Sequence, residues 1–151
     1  MIKLNFFYDK HISKSKKKIH ATKLLNYTKL NDSLESEINR ASRFKHIFGV
    51  IILDIDYFKS TNDTYGHNVG DKVLEELVII CSQTNIEGIK KLAEELRYAI
   101  ENNSFSVLDQ KTASFGITLY GEGDTIKSLI SREDKALYRA KEEGRNKVVV
   151  L

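Results

Sequence analysis

The run from Ile47 to Asp54, I-F-G-V-I-I-L-D, limits the possible folds of this chain more than any other segment. Its apolar residues follow one another without the polar alternation of a half-exposed strand, and several are β-branched. A strand covered on both faces reads this way. Such a strand is central to its sheet, with other elements packed above and below it. It runs into Asp54-Ile55-Asp56, and carboxylates at the end of a buried strand are costly to keep there without a cation.

The flanking segments supply candidate partners. Leu34, Ile38 and Ala41 share a helical face, and Asp32 with Glu35 suits a capping box, which predicts a helix over residues 32–45. Residues 62–71 hold Gly66, Gly70 and several turn formers. From about Val69 to Cys81, Val73, Leu74, Leu77, Val78 and Cys81 fall on a helical stripe. A further helix carries Ile86, Ile89, Leu92, Ala93, Leu96 and Ile100, with Thr84 and Glu87 as its capping box. Thr112–Leu119 reads as a strand, Asp124–Glu143 as a helix with Gly144 beyond its end, and Lys147–Leu151 as a last strand. The class is α/β.

At 151 residues the chain suits one domain, and a chain of this size buries about 70% of its unfolded surface. A lone cysteine, Cys81, excludes an internal disulfide and fits a reducing compartment. No apolar run is long enough to cross a bilayer as a helix, and lysines follow rather than precede the short apolar start, the reverse of a secretory signal. The net charge of +3 is uneven: residues 1–18 carry six lysines against Asp9, leaving the remainder at −2. Residues 1–19 therefore read as an upstream segment and basic linker, and residues 20–151 as the folded domain. Lys14–Lys18 lacks interleaved aromatics, so a solvated linker is favoured over nucleic-acid binding.

Three clusters carry chemistry. The Asp54-Ile55-Asp56 end suits a magnesium ion, which takes one or two carboxylates with water, backbone and phosphate oxygens; alternatively one aspartate caps a turn and the other is solvated. Asn62 to Asp71 offers amide and carboxylate groups that match the edge of a guanine, or ordinary turn and cap chemistry. His67 there reads as a loop-packing residue rather than a catalyst. Lys141 and Arg145 sit at a helix end, where they either grip phosphate or complement the helix dipole.

Taken together, these clusters resemble the GGDEF domain family, the diguanylate cyclases. D-I-D-Y-F-K-S-T-N-D-T-Y-G-H-N-V-G-D (residues 54–71) is similar to the family's first block, and A-L-Y-R-A-K-E-E-G-R-N (residues 136–146) to its last. Thr22 to Asn26 with Arg43, Leu92 to Arg97 and Ser114 to Ile117 add weaker likeness, so the resemblance spans residues 20–151. It implies a nucleotidyl-cyclase-like, palm-like sheet flanked by helices. It also implies that Asp54 and the Ile55 carbonyl hold Mg2+ or Mn2+, with Asp54 and Lys59 the catalytic residues present. By the same resemblance Phe58 and Lys59 approach the triphosphate, Asn62 and Asp71 hold guanine, and Lys141 and Arg145 hold the phosphates. Two GTP molecules, one on each protomer of a head-to-tail homodimer, become cyclic di-GMP and pyrophosphate, in the cytoplasm and under an upstream regulatory segment.

The motif G-G-[DE]-E-F is absent from the sequence. About 25 to 30 residues are expected to be missing, at a junction placed between Ser82 and Gln83, enough for a helix end, two strands and their turn. The resemblance then implies a sheet lacking the family's second and third strands, an unpaired edge beside the Ile47–Asp54 strand unless another segment fills it, and impaired catalysis with residual GTP and metal contacts. The alternative is a non-enzymatic dimerisation or partner-binding module on the same scaffold.

Overall fold

The computed structural model describes residues 19–23, 27–57, 76–102 and 111–151. In chain order these form β1 (Ile19–Lys23), α1 (Tyr27–Phe44), β2 (Phe48–Ile55), β3 (Glu76–Ser82), α2 (Ile86–Glu101), β4 (Ala113–Leu119), α3 (Ile126–Glu142) and β5 (Val148–Val150). The strands lie in the order β1-β3-β2-β4-β5. All neighbours are antiparallel except β4 and β5, which run parallel.

The β2 strand is central, and its side chains alternate between two cores. Ile51, Leu53 and Ile55 pack with Ile79, Cys81, Phe115 and Ile117 under the apolar stripe of α2, including Ile89, Ala93 and Leu96. Phe48, Val50 and Ile52 join Val78 and Ile80 on the opposite face, against Leu30, Leu34 and Ala41 of α1 and Leu129 and Leu137 of α3. A strand covered on both sides has no reason to alternate apolar with polar, which is why this run is continuous.

Residues 76–82 correct one expectation. They form a strand rather than the end of a helix, and β3 pairs along β2 from Phe48↔Ser82 to Asp54↔Glu76. Leu77 to Cys81 fits either period, because a short run buried on both faces has no diagnostic spacing. The open edge of β2 decides the outcome, since its unpaired N–H and C=O groups are satisfied only by a strand. The edge beside β2 is thus filled by β3, and β1 in turn pairs with the far side of β3. Among the described residues β1 begins at Ile19, opposite Cys81. The first part of the expected helix, residues 69–75, lies outside the described residues.

Helix ends differ in detail from the sequence reading. The α1 helix starts at Tyr27, which places Asp32 inside it. At α2 the N-cap is Asn85, whose side chain accepts from the Gly88 N–H, while Thr84 is buried and donates to the Ser82 carbonyl. At α3 Thr125 and Ser128 form the capping box. Asp124 instead accepts two bonds from the Arg132 guanidinium, at 2.6 and 2.7 Å, and one from the Ser128 hydroxyl. Arg132 first, with the Gly121 N–H and Ser128 assisting against burial, holds the Asp124 carboxyl far below the usual carboxylate range.

Gly116 sets how closely α3 approaches the sheet. A Cβ there would lie 2.6 Å from the Leu137 nitrogen and 2.8 Å from the Glu133 carbonyl oxygen, both backbone atoms. With no side chain in the way, α3 packs directly on β4 and directs its C-terminal turn to the end of β2.

Candidate functional site

Even-numbered residues of β2 face α3, so Asp54, at the last such position, points towards the C-terminal turn of that helix. There Lys141 Nζ donates to Asp54 Oδ2 at 2.8 Å. Both side chains are partly buried, at 34% and 20% exposure, so solvent reaches the pair and another cation or anion can compete for either partner. Across the sheet, the register sets Asp54 between Ser114 of β4 and Glu76 of β3. Two acidic residues thus occupy opposed register positions on neighbouring strands.

Asp56 serves a different purpose. It is buried, and its carboxylate accepts from Thr112 Oγ1 at 2.6 Å, Ser114 Oγ at 2.7 Å and the Asn146 backbone N–H at 3.1 Å. These bonds tie the end of β2 to β4 and to the turn after α3. Of the two uses open to this carboxylate pair, Asp56 takes the structural one and Asp54 keeps its contact with a cation.

The turn after α3 carries Arg145. Gly144 leaves the helix at φ 110°, and the Arg145 N–H bonds the Ala140 carbonyl at 2.9 Å, which closes the helix end. The Arg145 guanidinium lies 4.6 Å from the ring centroid of Tyr57, an exposed residue at φ 58° immediately after Asp56. The neighbouring Asn146 side chain donates to Glu101 Oε1 and accepts from Arg97 Nη1, each at 2.8 Å. The Asn146 amide first, and then Arg97, hold the Glu101 carboxyl below its ordinary value, while Glu94 above all raises that of Arg97.

Asp54 and Ile55 at the end of β2 and Lys141 and Arg145 at the end of α3, two pairs far apart in sequence, therefore lie at one end of the sheet. The other expected contacts, Phe58, Lys59, Asn62 and Asp71, lie outside the described residues, as does His67. Sequence reasoning missed Glu76, which follows from the register once residues 76–82 are a strand. It also missed the Arg97–Asn146–Glu101 link, for which no sequence signal exists beyond Asn146 following Arg145.

The residues present suit a divalent cation of the magnesium type. An ion of this type relies on one or two carboxylates, water and substrate phosphates, and Asp54 at the end of β2 offers such a carboxylate. Among the described residues no helix is long and apolar enough to cross a membrane.

The family model described as diguanylate cyclase, GGDEF domain, matches residues 20–78 and 75–147. The response regulator PleD of Caulobacter vibrioides is 32% identical over 156 residues, covering 85% of this chain and 34% of PleD. Diguanylate cyclase A of Treponema denticola is 32% identical over 75% of this chain and 38% of its own length. The chain thus spans little more than a third of these relatives. The structure of the active GGEEF domain of a diguanylate cyclase from Vibrio cholerae superposes with a TM-score of 0.76 at 30% identity, covering 84% of this chain and 97% of that one.

The two matched segments meet at residues 75–78, and the PleD alignment is longer than the whole chain while using only part of it. Residues present in the relatives are therefore missing just before β3 rather than at the expected Ser82–Gln83 junction. The α/β sheet, the carboxylate at the end of its central strand and the matches on either side of that gap lead to one conclusion: this chain belongs to the GGDEF family.

Proposed function

We propose that this chain is a cyclic di-GMP signalling domain that binds GTP with Mg2+, or Mn2+ in its place, at the C-terminal end of β2, and that condenses it poorly. The observation that carries this reading is the convergence of Asp54 with Lys141, a carboxylate suited to a divalent cation beside an ammonium suited to phosphate. In this reading Asp54 and the Ile55 carbonyl hold the cation, with Glu76 opposite Asp54 in register. Lys141 and Arg145 take the phosphates, Phe58 and Lys59 approach the triphosphate, and Asn62 with Asp71 holds guanine.

The bound cation supplies charge neutralisation at the phosphates. The residues of the chain orient the triphosphate and offset the negative charge that grows as the 3′-hydroxyl of one GTP attacks the α-phosphorus of another and pyrophosphate leaves. Two such attacks, between GTP molecules held on facing protomers, give cyclic di-GMP and two pyrophosphates. Impairment is proposed because the chain lacks G-G-[DE]-E-F, and with it the paired glycines that let backbone approach the nucleotide. The domain works in the cytoplasm, with residues 1–19 linking it to an upstream regulatory segment.

Calorimetric titration of GTP with Mg2+ into the purified chain, with chromatography of the products, tests this. Saturable binding with product near background is expected. Rapid cyclic di-GMP formation would show that condensation survives, whereas absence of binding would leave a partner-binding or dimerisation module as the function.

A further inference from the structure

Three consecutive residues after α3 are left-handed: Gly144, Arg145 and Asn146, at φ 110°, 63° and 47°. Glycine takes this conformation freely, and one such residue is enough to end a helix. The two that follow are side-chain-bearing residues in a region that is costly for them and that persists only where the surroundings over-determine it. Here they do. The Asn146 N–H donates to the buried Asp56 carboxylate, and its side-chain amide is bonded at both ends, donating to Glu101 and accepting from Arg97. Arg97 is itself fixed by Glu94 at 2.7 Å and Glu101 at 3.0 Å. One residue on, the Lys147 carbonyl accepts from the Phe115 N–H at 2.9 Å.

These bonds to Asp56 just after β2, to α2 and to β4 fall on Asn146 and Lys147, while the neighbouring Arg145 side chain is held on the Tyr57 ring beside the Asp54 end of the sheet. We propose that Arg97 and Asn146 are positioning residues: through the doubly bonded Asn146 amide they fix the left-handed backbone of residues 145–146, so that the Arg145 guanidinium is presented to the phosphates of a bound nucleotide, with Tyr57 as its resting surface. This rests on the reading of Arg145 as a phosphate ligand.

The test uses Asn146→Gly, which keeps the left-handed backbone accessible and removes only the amide. Affinity for GTP with Mg2+ is expected to fall about tenfold, the scale of a single charge-assisted hydrogen bond. No further fall is expected when Asn146→Gly is made in the Arg145→Ala background, because the effect runs through Arg145. The exchanged pair Asn146→Asp with Glu101→Gln retains an acceptor for Arg97 and restores a donor opposite residue 146, and should recover affinity to within about threefold of the parent. An equal loss with and without Arg145, or no loss at all, would overturn the proposal. A nucleotide-free measurement separates this from the function proposed above. The Arg145 Nε–Hε resonance should be ordered and shifted by the Tyr57 ring in the parent, and averaged in Asn146→Gly. If the parent fails to bind GTP, the proposed function falls and this resonance alone decides; an unchanged resonance in Asn146→Gly overturns the positioning role.

Discussion

Lys141 Nζ lies 2.8 Å from Asp54 Oδ2, across 87 positions of sequence. The β2 strand carries one partner and the last turn of α3 the other, and the bare backbone at Gly116 lets the two elements come close enough to join them. Because Asp54 is also the proposed cation ligand, Lys141 and a divalent cation compete for one carboxylate. In the proposed site a cation held by Asp54 would leave the Lys141 ammonium free for the phosphates.

That competition gives a prediction with opposite signs in two buffers. Without divalent cation, Asp54→Asn should raise GTP affinity about fivefold, because a partly exposed ion pair worth about 1 kcal/mol no longer holds Lys141 back. With Mg2+ the same variant should lose most of the enhancement that the cation gives the parent. Calorimetry with and without Mg2+ reads both signs, and a fall in both buffers would refute the competition.

Gly116→Ala should destabilise the fold by about 1–3 kcal/mol and weaken GTP binding, because the new methyl meets the α3 backbone and pushes Lys141 away from Asp54. Gly49→Ala should cost less. Its closest obstruction, at 2.5 Å, is the Ile89 Cδ1 atom, the end of a side chain that can turn aside. Urea denaturation of the two variants ranks the costs.

The buried Asp56 carboxylate holds three donors from two other segments. Asp56→Ala should cost about 3–5 kcal/mol, since it strands the Thr112 and Ser114 hydroxyls and the Asn146 N–H. Asp56→Asn, which retains one acceptor oxygen, should cost less than half as much. A thermal melt in which the two variants were equally stable would show that the carboxylate does not organise this end of the sheet.

Acid stability should depend on Asp124. Its carboxyl is held far below its unfolded value, mainly by Arg132, so the pair contributes stability above the unfolded carboxylate pKa of about 4, and this is lost as pH falls below that point. Arg132→Met should lower stability near pH 7 by about 1–2 kcal/mol and flatten the decline between about pH 4 and 2. Denaturation midpoints across that range check the slope. A variant that declined as steeply as the parent would assign acid sensitivity to other carboxylates.

Much of the architecture was legible in the residues themselves. The run before Asp54 announced a strand covered on both faces, the stripe of Ile89, Leu92, Ala93 and Leu96 marked one helix, and Gly144 marked the end of another. Periodicity and chain-end chemistry are local properties, so they can be read locally. The motif blocks at 54–71 and 136–146 carried the family resemblance, because each is contiguous.

Residues 76–82 show where local reading stops. Leu77 to Cys81 satisfies both a helical and a strand period, and only the vacant hydrogen-bonding edge of β2, a property of another segment, selects the strand. That pairing then sets Glu76 opposite Asp54, a relationship invisible without a register. By residue type and spacing alone Asp54 and Asp56 stood as equals, and only the family resemblance singled out Asp54. Tertiary packing buried Asp56 among Thr112, Ser114 and Asn146 and left Asp54 facing Lys141. Residue type and spacing determine which groups can ionise and which segments can form helices or strands. Which carboxylate becomes a clamp and which meets a cation depends on the donors that distant segments bring to it, and only the folded chain decides that.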